Sequence, residues 1–216
     1  MTAHGGGVAA QHSQSLEALF YHIPGLRVVM PSTPADAKGL LKYALRQPDP
    51  VMFLEHKHLY MTKGLVPDGE HIVEFGKADI KRPGKDVTII AWSNMVPTAL
   101  AAAEDLAAQG IEAEVLDPRT LVPLDKEMIL TSIAKTKRAV IVQEANRRGG
   151  VASDICSIIQ EELFYDLDAP VEIVAGLDIP IPFNLTLEKA SVPQKGDVVA
   201  AACRALHRDP LGIAAE

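Results

Sequence analysis

Cysteine is almost missing from this chain: Cys156 and Cys203 are the only two among 216 residues. Both stand in apolar, helix-like stretches and read as small buried thiols of a reducing compartment, which excludes a disulfide-built scaffold. A run of about 18 apolar residues is also lacking, so no segment reads as a membrane span. The start carries no basic segment followed by an apolar stretch, which argues against a secretory signal and makes a cytoplasmic protein the expectation. There is no excess of positive charge. The net charge is −7, with both signs interspersed, which argues against nucleic acid or an anionic membrane as partner and leaves a basic protein surface open. What is present is a chain of 48% hydrophobic and 23% charged residues, long enough for one large or two small domains around a substantial core.

The opening residues through Ser15 are small, polar and Gly-rich, a composition suited to loop. Leu16, Leu19, Phe20 and Ile23 then recur at helical spacing until Pro24-Gly25, and Arg27 to Met30 reads as a short buried strand before Pro31. Thr33-Pro34 supplies an N-cap hydroxyl and a proline for the first helical position. Ala37, Leu40, Leu41, Ala44 and Leu45 carry that helix to about Gln47. Val51 to Leu54 is the next strand, so the unit is βαβ with parallel strands. Residues 55–86 break the rhythm, and the alternating run His71 to Phe75 reads equally as part of a hairpin within a linker or as plain surface loop.

A second α/β series begins at Asp86. Strands are predicted over Val87–Trp92, Glu112–Leu116, Arg138–Gln143 and Val171–Val174. Helices are predicted over Val96–Gln109, with Ser93-Asn94 as cap and Gly110 as stop, and over Lys126–Thr136, Val151–Phe164 and Val198–Leu206. This alternation implies a mainly parallel sheet. The division drawn from it is 1–60, a linker with hairpin over 61–85, 86–208, and a tail over 209–216.

Ligands and partners of such sheets gather at the carboxyl ends of the strands. Those ends are Ser93-Asn94, Asp117-Pro118-Arg119, Glu144 to Gly150 and Gly176-Leu177-Asp178. His56 and His58 stand two apart near a strand end, but no third ligand is evident, and His4, His22, His71 and His207 add no metal spacing. Gly5-Gly6-Gly7 lacks the lysine and hydroxyl of a phosphate loop, and Arg147-Arg148-Gly149-Gly150 reads as an anion site or as an exposed turn.

Several strings, in order, carry a resemblance: Gln11-His12-Ser13-Gln14-Ser15-Leu16, His22-Ile23-Pro24-Gly25-Leu26, Asp36-Ala37-Lys38-Gly39-Leu40-Leu41, Asp117-Pro118-Arg119-Thr120-Leu121 and Asp178-Ile179-Pro180-Ile181-Pro182. Together they resemble the β subunits of thiamine-diphosphate-dependent 2-oxoacid dehydrogenases, those acting on pyruvate, branched-chain 2-oxoacids or acetoin. The fold implied is part of a pyrimidine-binding α/β domain followed by a transketolase C-terminal-type α/β domain. The resemblance implies oxidative decarboxylation with acyl transfer to lipoyl groups, in an α₂β₂ assembly or a homodimer, docked on a dihydrolipoyl acyltransferase core. It also implies thiamine diphosphate with Mg²⁺ held largely by the α subunit, and a further N-terminal stretch with a cofactor-activating glutamate that has no counterpart here. On that ground the isolated chain is expected to be inactive.

Carried over residue by residue, His12 takes the place of a histidine near the reacting carbon, although a lone histidine in a polar loop otherwise reads as surface. Ala44, Leu45, Gln47 and Asp49 fall where the family holds a potassium ion at a helix end. Asp168, in Leu167-Asp168-Ala169-Pro170, falls on the surface that meets the acyltransferase, and reads equally as a solvated turn residue. A docking fragment without chemistry is the competing function, and the C-terminal part of a transketolase or deoxyxylulose-phosphate synthase is a related enzyme reading.

Overall fold

The computed structural model describes residues 6–209; His4, Gly5 and residues 210–216 of the expected tail lie outside them. The described residues open with two short helices, α1 (Ala10–Ser13) and α2 (Glu17–Tyr21). Strand β1 (Arg27–Val29), helix α3 (Pro34–Ala44) and strand β2 (Val51–Phe53) form the expected βαβ unit, with β1 and β2 parallel. Thr33 caps α3 by accepting from the Asp36 N–H at 3.1 Å, with Pro34 at the first helical position.

The larger sheet holds five strands in the order β3-β5-β4-β7-β8: β3 (Asp79–Arg82), β4 (Val87–Ala91), β5 (Ala113–Asp117), β7 (Ala139–Asn146) and β8 (Glu172–Gly176). All pairings are parallel except β3 with β5. Side chains alternate across β4. Val87, Ile89 and Ala91 pack with α4 (Met95–Ala107) and α8 (Lys195–Ala205), while Ile90 faces the side of α5 (Lys126–Thr136) and α6 (Val151–Leu163). Val28, Met30 and Leu54 of the first half join the second of these clusters, so one core crosses both halves.

Four features depart from expectation. Helix α1 forms within the opening stretch that reads as loop. Residues 71–75 form no strand and no hairpin. Val73 instead buries against Leu40 of α3, and Phe75 meets Tyr43 edge-on at 4.9 Å, so the alternating pattern is satisfied by a helix face. The strand of this region is β3, which pairs antiparallel with β5. A short strand β6 (Thr120–Val122), not foreseen, leaves the second half and pairs antiparallel with β1, giving a second sheet in the order β2-β1-β6. Helix α7 (Leu185–Ala190), capped by Asn184, was also not foreseen.

Candidate functional site

The carboxyl ends of β4 and β7 meet the first half of the chain at one buried polar cluster. Glu144 lies near the end of β7, with its side chain 8% exposed. Its Oε1 accepts from the Ser15 hydroxyl at 2.5 Å, and its Oε2 lies 2.7 Å from His56 Nε2 and 3.5 Å from the Asn94 amide nitrogen. The Nδ1 of His56 accepts the His58 backbone N–H at 3.2 Å, which places a ring proton on Nε2 for donation to Glu144. Asn94 therefore does not cap α4. Its backbone is already helical, and its side chain turns to the carboxylate instead.

Glu17, on α2, is the second acid of this region and is 1% exposed. Burial pushes its carboxyl up to about 7; its own backbone N–H opposes this, the charge of Glu144 adds to it, and the Trp92 indole opposes it. One oxygen, Oε2, has no hydrogen-bond partner among the described residues. A cavity of about 280 Å³ lies alongside, lined by Ser13, Ser15, Glu144, Gly176, Leu177 and Val192 among others. Gly176 is required at this seam, since a Cβ there would stand 2.5 Å from the Glu144 carbonyl oxygen.

A second buried network joins the start of α3 to the β3/β5 edge. Lys81 Nζ lies 2.6 Å from Asp36, 2.7 Å from Asp79 and 3.8 Å from Asp117, and Arg119 reaches Asp36 at 3.2 Å. Burial raises Asp117 to about 6, against Lys81, the Ser32 hydroxyl and the Arg119 N–H, with Asp36 adding to the rise. Burial would raise Asp36 as well, but Lys81, Thr33 and Arg119 hold it below its ordinary value.

His12 sits exposed on α1, and its carbonyl accepts from Lys57 Nζ at 3.0 Å. The four potassium candidates share the turn after α3. There the Ala44 carbonyl accepts from the Gln47 N–H at 3.1 Å, Leu45 is 81% exposed, and Asp49 pairs with Arg27 at 2.8 Å. A guanidinium beside the one carboxylate opposes a cation there unless Arg27 moves away. Asp168 is half-exposed and pairs with Arg138 at 2.9 Å, linking the α5–β7 and α6–β8 turns. Arg148 pairs with Asp178, and both cysteines are free, Cys156 half-buried and Cys203 buried. Among the described residues, no three His, Cys, Asp or Glu side chains come together to hold a metal ion. Strand-end position pointed to Asn94, Glu144, Asp117 and Arg119. Glu17, Asp36 and Lys81 were missed because the contacts that join them to the site, Glu17 with Glu144 and Asp36 with Lys81 and Arg119, span long stretches of chain.

Residues 76–198 match the family described as transketolase, C-terminal domain, and residues 1–63 match the transketolase pyrimidine binding domain. The chain belongs to the transketolase C-terminal domain family. Among relatives of this transketolase-type chain is the acetoin:2,6-dichlorophenolindophenol oxidoreductase subunit beta of Cupriavidus necator, 49% identical over 94% of the chain and 60% of the relative. The 2-oxoisovalerate dehydrogenase subunit beta of Bacillus subtilis is 49% identical over 92% of the chain and 62% of the relative. The mitochondrial pyruvate dehydrogenase E1 component subunit beta-2 of Oryza sativa is 48% identical over 94% and 55%. The chain thus spans between 55% and 62% of the length of these relatives. A solved structure titled "Split gene transketolase, inactive beta4 tetramer" superposes with a TM-score of 0.80 at 30% identity, covering 95% of this chain and 65% of that one.

Proposed function

We propose that this chain acts as, or within, the β subunit of a thiamine-diphosphate-dependent 2-oxoacid dehydrogenase, working with an α subunit and passing the acyl group to the lipoyl arm of an acyltransferase core. The observation that carries this is identity of 48–49% to the β subunits of an acetoin oxidoreductase, a 2-oxoisovalerate dehydrogenase and a pyruvate dehydrogenase across at least 92% of the chain. In this reading residues 1–60 form the C-terminal part of a pyrimidine-binding domain, 61–85 a linker and 86–208 a transketolase C-terminal-type domain. The compartment proposed is the cytoplasm. Among the described residues no helix is long and apolar enough to cross a membrane.

Bound thiamine diphosphate supplies the electron sink a 2-oxoacid needs to lose carbon dioxide. In this reading the α subunit holds the diphosphate and its Mg²⁺. This chain contributes His12, exposed at its turn, where an imidazole can hold or deliver a proton near neutral pH. Asp168 meets the acyltransferase, and potassium takes the turn of Ala44, Leu45, Gln47 and Asp49 once Arg27 releases Asp49.

Calorimetric titration of thiamine diphosphate with Mg²⁺, into the chain and into its mixture with an α subunit, tests the proposal. The expected result is binding in the mixture only. Decarboxylation of 2-oxoacid should accompany it and fall about 100-fold on His12→Ala. Absence of binding in both cases would support the alternative, a dimerisation and docking piece without chemistry. The likeness to a β4 tetramer titled inactive fits both readings, since each expects the β chain without an α subunit to be inactive.

A further inference from the structure

We infer that Glu144 is a positioning residue: through Ser15 it holds the turn that carries His12. This rests on the reading of His12 given above. Helix α1 spans four residues, has no side-chain cap, and starts from Ala9 at φ 60. A single helical turn costs more chain entropy than its hydrogen bonds return, so it keeps one geometry only where other elements hold it.

Two contacts from outside do this. The His12 carbonyl accepts from Lys57 Nζ at 3.0 Å, and the Ser15 hydroxyl, three residues further on, donates to Glu144 Oε1 at 2.5 Å. The other oxygen of Glu144 meets His56 Nε2 at 2.7 Å, and His56 accepts in turn from the His58 N–H. His56 and Lys57 are adjacent, at the start of the 3₁₀ turn Lys57–Met61, so both contacts lead back to the same short element. The carboxylate projects from β7 just past the residues paired on both sides, Val140 to Val142, and within the register shift between Gln143 and Asn146. A hydrogen bond to a carboxylate is stronger than one between neutral groups, and the Glu144 side chain is only 8% exposed. The chain imidazole, carboxylate, hydroxyl therefore transmits the rigidity of the central sheet to an exposed turn that has none of its own. The order of the groups is not that of a nucleophilic triad, in which the imidazole stands between acid and hydroxyl.

The test uses the full chain assembled with an α subunit, thiamine diphosphate and Mg²⁺, with Ser15→Ala and Ser15→Thr compared. Misplacing a reacting group by a fraction of an ångström lowers kcat more than KM, so Ser15→Ala should lose about tenfold in kcat with KM within about twofold. Ser15→Thr, which keeps the hydroxyl, should recover most of the loss, with assembly unchanged in both variants. Amide hydrogen exchange in the chain by itself supplies an independent readout: residues 10–15 should exchange at least about fivefold faster in Ser15→Ala and not in Ser15→Thr. Unchanged exchange in Ser15→Ala overturns the clamp whether or not the assembly is active. Faster exchange with kcat and KM both unchanged overturns the positioning role. An assembly in which the unaltered chain shows no turnover sinks the functional reading alone, and the exchange rates then decide the clamp.

Discussion

A carboxyl group enclosed beside a second carboxylate must surrender either its charge or its burial, and Glu17 shows which. Burial raises it to about 7, whereas the unfolded chain returns it to its ordinary value of 4.5. The folded state therefore binds the proton more tightly, and the resulting stability is fully present below pH 4.5 and lost as pH rises toward 7. At one pKa unit for about 1.4 kcal/mol the effect is on the order of 3 kcal/mol. Asp117, raised to about 6, adds a loss of the same sign that ends at lower pH. Glu17→Gln removes the larger share. The variant should match the parent in melting temperature near pH 4.5 and exceed it by several degrees at pH 8, a difference read by calorimetry at the two pH values. Equal melting at pH 8 would mean that Glu17 ionises without cost.

At the scale of elements, the segment over 71–75 carries the lesson. Its alternation of apolar and polar residues was legible, and Val73 is indeed buried, but alternation states only that one face is covered, not by what. The cover is α3, and Gly39 is the reason that helix and strap approach so closely. A Cβ at position 39 would stand 2.5 Å from Val73 Cγ2 and 3.0 Å from its backbone nitrogen. Helical propensity favours Gly39→Ala by about 1 kcal/mol, yet the steric conflict costs about 1–3 kcal/mol, so a net loss is expected. Denaturant melting would record it, and exchange of the amides of 71–75 should quicken; a more stable Gly39→Ala variant would contradict this packing. The long helices and the parallel strands were legible because each carries its own period and caps, as Thr33-Pro34 and Gly110 do. Strand β6 and helix α7 were not, although β1 and α2 are just as short: the partner that makes Thr120–Val122 a strand is β1, far back along the chain.

For the whole molecule, the two halves are joined by charge as well as by the shared core. Lys81 stands among Asp36, Asp79 and Asp117, with its side chain 11% exposed. Removing one member of a buried ionic group leaves the others uncompensated, so Lys81→Met should cost about 3–5 kcal/mol by chemical denaturation. Adding Asp117→Asn should return part of that loss, because the amide keeps the hydrogen bonds and drops the charge. A double variant no more stable than the single one would refute the coupling. The strand-end residues of the candidate site could be named from the chain, since α/β order alone predicts where strands end. Their partners could not: Glu144 meets Ser15 and His56 across sequence separations of 129 and 88 residues, which only the closed fold brings together. Strand β6 crosses the same divide in the opposite direction, lending residues 120–122 to a sheet begun by residues 27–29. The segment that natural recombination could exchange between related genes therefore does not end at the linker: a hybrid joined near residue 85 would bring a borrowed β6 to a foreign β1. Crossovers placed there should survive only between parents whose β1 and β6 faces already match.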